Sequence, residues 1–305
     1  MTDAPHITAT SWLIVGILGI TWGGTFMVTE VALTGITPFW LAASRVGFAA
    51  LLMTGVWAAS GFRLFSVPPT RNEKGTLLII GALSSAVPFS LLCWGQQYVS
   101  SGFAGVSMAS VALVVLPIAH FTIPGERMTL RKSVGFATGF VGVVVLIGGQ
   151  AFETTGSTLE LPGRLACITA ASCYAIGSIL LRRLPAANPI GLSTVLLLTG
   201  AALTIPVAWL IEGPPPLPAP EILAVMVFLG LVPTAAANFL RVLVVRSAGP
   251  VFMSLVNYQV PVWSVVLGAL ILAEPLPRSL IVAMILILLG VGMTQYDALR
   301  RIFSR

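Results

Sequence analysis

SAGPVFMSLVNYQVPVWSVVLGALILAEPLPRSLIVAMILILLGVGM, residues 247–293, decides how this chain is read. It holds two long apolar runs separated by an acidic, proline-containing turn. A weaker copy, SSGFAGVSMASVALVVLPIAHFTIPGERMTLRKSVGFATGFVGVV, occupies residues 100–144. Setting Gly249 on Gly102, Glu274 on Glu126 and Gly290 on Gly142 gives offsets of 147, 148 and 148, so a one-residue gap keeps both runs and the turn in register. The echo continues upstream. Pro233 falls on Pro88, Asn188-Pro189 on Thr37-Pro38 and Tyr174 on Trp22, at offsets of 145, 151 and 152 that drift as loop gaps would make them.

Composition identifies the surrounding medium. The chain is 57% hydrophobic and only 9% charged, against about 25% charged in a soluble domain, so it is expected to be an integral membrane protein in contact with the lipid bilayer. At about 20 apolar residues per crossing, 305 residues leave room for roughly ten spans. Apolar runs place them near 11–29, 38–59, 75–97, 101–123, 132–149, 162–181, 190–211, 221–244, 249–273 and 279–296. No basic leader precedes the first run, so it reads as a retained span rather than a signal peptide. Cys93, Cys167 and Cys173 all lie in apolar runs and read as small hydrophobes, not as a disulfide or metal set.

Lys and Arg collect in cytoplasmic loops. With the amino terminus inside, the inner connections hold Arg63, Arg71, Lys74, Arg127, Arg131, Lys132, Arg182, Arg183, Arg241 and Arg246. The tail adds Arg300, Arg301 and Arg305, which makes thirteen of the 16 basic residues, while only Arg164 and Arg278 fall outside. Both termini are expected in the cytoplasm. The net charge of +6 then reports orientation and lipid contact rather than nucleic-acid binding. Five crossings return a repeat to the opposite side, so the second copy must be inverted. The expected fold is an all-α membrane protein of ten transmembrane helices in two inverted five-helix repeats around a central cavity. Residues 1–149 form the first repeat, 150–161 an external connection, 162–296 the second repeat and 297–305 a cytoplasmic tail.

Inverted repeats are a recurring construction of secondary transporters, whose substrate sites lie at helix interruptions in corresponding positions of the two halves. Pro88 and Pro233 correspond near mid-span, and Pro117 and Pro261 are expected to interrupt the fourth and ninth spans as kinks or gates. Gly19-x-x-x-Gly23 and Gly135-x-x-x-Gly139 supply close-packing faces. Polar and aromatic residues at depth are the candidate substrate contacts, because a polar group in lipid is costly unless it faces the bundle interior. They are Trp22, Tyr174, Asn238, Phe239, Asn257, Tyr258, Gln259 and Trp263. Arg45, seven residues past Pro38, must pair or bind something. Glu30 is its expected structural partner, and a substrate carboxylate is the alternative. No acid lies deep in a span, and neither a phosphate loop nor an H-E-x-x-H helix occurs, so ATP-driven pumping, zinc proteolysis and any cofactor or metal are not expected.

Several of these residues carry a family likeness over nearly the whole chain. They are Trp22-Gly23-Gly24-Thr25-Phe26, Thr37-Pro38 followed by Arg45, and Tyr98-Val99-Ser100-Ser101-Gly102 leading to Gly125-Glu126-Arg127-Met128-Thr129. Ser247-Ala248-Gly249 leading to Ala273-Glu274-Pro275 completes the set. In this order and in duplicate, the chain resembles the EamA-like ten-helix exporters of the drug/metabolite transporter superfamily. Its amino end and aromatic content are most similar to the YddG-type exporters of aromatic and other amino acids. The resemblance implies a bacterial inner-membrane exporter with a central substrate cavity, and no enzyme. Small multidrug-resistance relatives use a carboxylate within the first helix; this chain has only Glu30 at that helix's end. The expected substrates are neutral aromatic and large apolar amino acids. Nucleosides, sugar-nucleotides or drugs on the same scaffold are the alternative, and a membrane-embedded enzyme or scaffold is the alternative from another class.

Overall fold

The computed structural model describes residues 8–65, 71–122, 128–148, 157–182, 184, 187–248, 250–253, 255–296 and 300. Among them the backbone is helical apart from turns, caps and one isolated bridge between Phe65 and Ala187. The helices are α1 (Ala9–Leu33), α2 (Pro38–Ala59), α3 (Arg71–Gly81), α4 (Val87–Gly95), α5 (Ser101–Ala109), α6 (Val111–Thr122), α7 (Leu130–Gly148) and α8 (Glu160–Arg182). They continue as α9 (Pro189–Glu212), α10 (Pro220–Leu229), α11 (Ala237–Ser247), α12 (Pro250–Met253), α13 (Val256–Ile271) and α14 (Arg278–Thr294). A π-helical segment, Ala82–Ala86, joins α3 to α4, and a second, Gly230–Ala236, joins α10 to α11. The motif residues Gly125, Glu126, Arg127 and Gly249, and most of the connection and tail expected at 150–161 and 297–305, lie outside the described residues.

Among the described residues, eight of the expected crossings are long and apolar enough to span a bilayer, from Ala9–Leu33 to Pro220–Arg241. The last two, Val256–Ile271 and Arg278–Thr294, are shorter apolar helices. The ninth stretch is shortened because it breaks into α12 and α13. The fourth divides at Ser110, whose hydroxyl donates to the Ser107 carbonyl (2.6 Å) and competes with the helical ladder. The side chains left outward are those lipid would cover: Leu51 is 72% exposed and Leu270 is 78% exposed, a large apolar surface that water would not tolerate.

The chain forms two compact units. Unit 1 takes Met1–Met27, Ser100–Leu161 and Phe239–Arg305; unit 2 takes Val28–Val99 and Pro162–Asn238. Neither is one of the expected repeats, since each draws helices from both halves of the sequence.

In unit 1, α7 packs along α14 and α5 along α13. Glycines let the backbones meet: a Cβ at Gly290 would lie 2.5 Å from both the Gly135 carbonyl and the Gly139 nitrogen. In α1, a Cβ at Gly19 would strike Gln259 and one at Gly23 would strike Trp263. Both small-residue faces found in the sequence are therefore packing faces.

In unit 2, α2 packs along α9. Pro at the first position of each helix is compatible with its fixed φ and missing N–H. The caps differ. Asn188 caps α9 itself, its Oδ1 accepting from Ile190 N (2.9 Å) and Gly191 N (3.3 Å). Thr37 makes no side-chain cap for α2. Instead Glu212, the last residue of α9, accepts from the Thr37 hydroxyl, from Phe39 N (3.0 Å) and from Trp40 N (2.9 Å). Each helix of this pair also lies against a π segment, α2 on Gly230–Ala236 and α9 on Ala82–Ala86. Glycine permits both approaches, since a Cβ at Gly230 or Gly200 would come within 2.6 Å of Phe48 or Ser85.

Candidate functional site

The two π segments are the interruptions that matter. In the first, the Val87 amide bonds to the Ala82 carbonyl five residues back; in the second, the Ala237 amide bonds to Val232. Single-turn π segments inside α-helices accompany functional sites. Pro88 sits at the start of α4, just after the first segment, and Pro233 sits inside the second. Pro117 and Pro261 are each inside a helix. They lie within α6 and α13, which continue through them, and the backbone break in the fourth stretch falls at Ser110.

Pro233 has no N–H for the Leu229 carbonyl. The Thr234 hydroxyl donates to Leu229 O (2.8 Å). Its oxygen then accepts from Arg45 Nε (2.9 Å). The Arg45 guanidinium also lies 4.4 Å from the centre of the Phe89 ring, within the range of a cation–π contact. Phe89 in turn meets Tyr174 edge to face at 6.4 Å. Asn238, half-buried one turn past Thr234, donates through Nδ2 to the Thr234 carbonyl. Arg45, Tyr174 and Asn238 are thus brought into one cluster through Phe89 and Thr234. The contacts described for Arg45 are Thr234 and Phe89.

The remaining candidates belong to unit 1, and three of them spread around α13 at helical steps of 100°. Asn257 is exposed. Tyr258 donates through its hydroxyl to the Val291 carbonyl of α14 (3.3 Å). Gln259, with Trp263 one turn on, faces Gly19 and Gly23 of α1. Trp22 is half-buried in α1, and Phe239 is 44% exposed. No group of His, Cys, Asp and Glu able to hold a metal occurs among the described residues.

Sequence reasoning missed Phe89 and Thr234. The signal was present: each immediately follows a member of the Pro88/Pro233 pair, so the repeat that matched the prolines also matched these two.

The helical architecture, the apolar outer surface and a sparse polar cluster beside helix breaks define a polytopic membrane protein. A model of the EamA-like transporter family matches residues 10–148 and again 161–296. The chain belongs to that family and is a membrane transporter. It is 22% identical to the uncharacterized transporter YoaV of Bacillus subtilis over 95% of this chain and 98% of that one. It is 30% identical to protein PagO of Salmonella typhimurium over 52% of this chain, a match that spans about half (51%) of PagO. A probable terminal-alkyne amino-acid exporter of Streptantibioticus cattleyicolor is 28% identical over 49% of each chain. A solved crystal structure, 21% identical, superposes with a TM-score of 0.66 over 96% of this chain and 99% of that one, a likeness of fold. None of these relatives bears the name of a YddG-type exporter.

Proposed function

We propose that this chain exports small metabolites across the inner membrane by alternating access, and that its principal substrates are neutral amino acids with large apolar or aromatic side chains. The observation that carries the reading is the pair of π-helical breaks at Ala82–Ala86 and Gly230–Ala236, at corresponding points of the two halves, with Phe89, Tyr174, Thr234 and Asn238 gathered beside them. Interrupted helices in matching positions are where transporters of inverted-repeat construction bind substrate. Aromatic rings favour a ring or large apolar group, at about 0.5–1.5 kcal/mol per contact beyond area burial, and the amide and hydroxyl groups fix polar ends.

Several observations support the ten-helix, two-repeat arrangement. The family model matches the chain twice. The partners α2 and α9, α5 and α13, and α7 and α14 are the second and seventh, fourth and ninth, and fifth and tenth stretches, as an axis in the membrane plane would pair them. The cycle is read as alternating access of the two inverted repeats. The basic-residue asymmetry supports both termini in the cytoplasm, and one relative is the inner membrane transporter YedA of Escherichia coli, 24% identical over 90% of this chain.

Proteoliposomes test the substrate. Radiolabelled phenylalanine, tryptophan and methionine should accumulate above empty liposomes, with uptake reduced by Tyr174→Ala and Asn238→Ala. Uptake of a nucleoside or cationic dye, with none of the amino acids, would transfer the protein to the alternative substrate class.

A further inference from the structure

We infer that Arg45 is a fixed anchor for the carboxylate of the transported molecule, an inference that rests on the transport reading above and narrows its substrate class to carboxylates.

Arg45 lies seven residues into α2, about 10 Å from the helix start at 1.5 Å per residue. It is 6% exposed. A buried charge is expensive unless it is paired and hydrogen-bonded, and an arginine within a membrane span is costlier still. Its partners among the described residues are the Thr234 hydroxyl at Nε and the face of Phe89, both uncharged. Glu212, the acid at the end of the α9 helix packed along α2, is spent on Thr37, Phe39 and Trp40.

These contacts hold the guanidinium in place rather than compensate it. Of its five N–H donors, the Nε donor is used, and no described residue accepts from Nη1 or Nη2. Neither terminal nitrogen is among the fully buried polar atoms left without a partner, and the residue keeps 6% of its surface exposed. A ring beneath the plane and a bond at Nε fix the orientation of two parallel donors, and that is the geometry a carboxylate takes up bidentately. The Thr234 hydroxyl donates its hydrogen to Leu229 O, which leaves its lone pair for Arg45.

The chemistry separates the two ends of an amino acid. The carboxylate is required, and no described acid waits beside Arg45 for the ammonium. A deaminated carboxylate such as 3-phenylpropanoate should therefore bind as phenylalanine does. Phenylalaninamide and phenethylamine, which lack the anion, should bind more weakly by about tenfold or more, the loss of a charge-assisted pair.

The experiment uses the full chain in nanodiscs, with binding read by thermal shift for these four compounds and, as controls, chloride and sulfate. The expected result is stabilisation by the two carboxylates only, with Arg45→Gln removing the discrimination and Arg45→Lys keeping part of it. If Arg45→Gln does not fold, the wild-type ligand series and Thr234→Val, which frees Nε, carry the test. Equal binding of phenylalanine and its amide would overturn the anchor while leaving amino-acid export intact. Saturation by chloride or sulfate with no preference for the phenyl carboxylates would overturn it too, by assigning the fork to inorganic anions. Carboxylate-selective binding without phenylalanine transport would keep the anchor and remove the amino-acid reading. Binding of a nucleoside alone would remove both.

Discussion

Units 1 and 2 each use one carboxylate to tie a late helix to an early one. In unit 1, Glu274, just past α13, accepts from Ser101 N (2.9 Å) and Gly102 N (3.1 Å) at the start of α5. In unit 2, Glu212 does the same for α2. What fills the units differs. Unit 1 is closed by backbone against backbone, with Gly290 of α14 on Gly135 and Gly139 of α7. Unit 2 bends two helices into π segments and places a buried arginine beside them. Unit 1 brings two helices together through facing glycines, whereas unit 2 gives up helical regularity at its two π segments.

The largest effect should come from the glycine contact. Gly290→Ala puts a methyl group 2.5 Å from backbone atoms of Gly135 and Gly139, which no rotamer change can relieve. Overpacking of this kind costs about 1–3 kcal/mol, occasionally more, and the upper end is expected because backbone lies on the far side. Gly292→Ala is the control, since nothing stands within 4 Å of its Cβ. Unfolding midpoints of the two variants in the same detergent check this, and equal midpoints would dissolve the contrast between the units.

Next in size is Thr234→Val. It strands Arg45 Nε and removes the hydroxyl bond to the Leu229 carbonyl, at about 1–3 kcal/mol for an unsatisfied buried group. The same midpoint assay reads it, with Thr204→Val as comparison. The Thr204 hydroxyl donates only to Gly200 O (2.9 Å), a carbonyl within its own helix, so its loss should cost less.

Removing the caps should cost less again. Glu212→Ala and Glu274→Ala each remove an acceptor from a helix start, worth about 0.5–2 kcal/mol. Glu212 should lie at the higher end because it also holds the Thr37 hydroxyl. A larger loss for Glu274→Ala would mean that the two ties are not the same device.

Much of this was legible in the sequence. Apolar runs located the helices, because lipid demands about 20 such residues per crossing whatever the tertiary detail, and duplicated prolines pointed to the broken helices. The π geometry was not legible, since a proline predicts a missing bond and not which carbonyl shift absorbs it. Nor were the compact units: repeats are contiguous in sequence, but α7 chooses α14 by surface shape. The spread of Asn257, Tyr258 and Gln259 follows from helical geometry, yet which neighbour each meets depends on glycines such as Gly19 and Gly23 on another helix. Arg45 was recognisable as a residue in need of a partner, and only the placement of Phe89 and Thr234 showed that its contacts are neutral.

The smallest predicted effect concerns the turn that aims Glu274. After α13, Leu272 N (3.1 Å) and Glu274 N (3.2 Å) both bond to the Gly268 carbonyl, closing the helix through Ala273 at φ 52°. This is a helix stop that normally takes glycine. After Glu212 the chain also takes a positive φ, here with glycine, Gly213 at φ 78°. Alanine in the left-handed region carries a clash of about 1–2 kcal/mol, while glycine adds unfolded-chain entropy worth about 0.4–1 kcal/mol. The first term is the larger, so Ala273→Gly should raise the unfolding midpoint slightly, by about 0.5–1 kcal/mol on the difference of these two terms. Gly213→Ala should lower it for the same reason. If Ala273→Gly lowered the midpoint instead, the turn would not be the strained element that directs Glu274 onto α5, and the likeness between the two carboxylate ties would be confined to their endpoints.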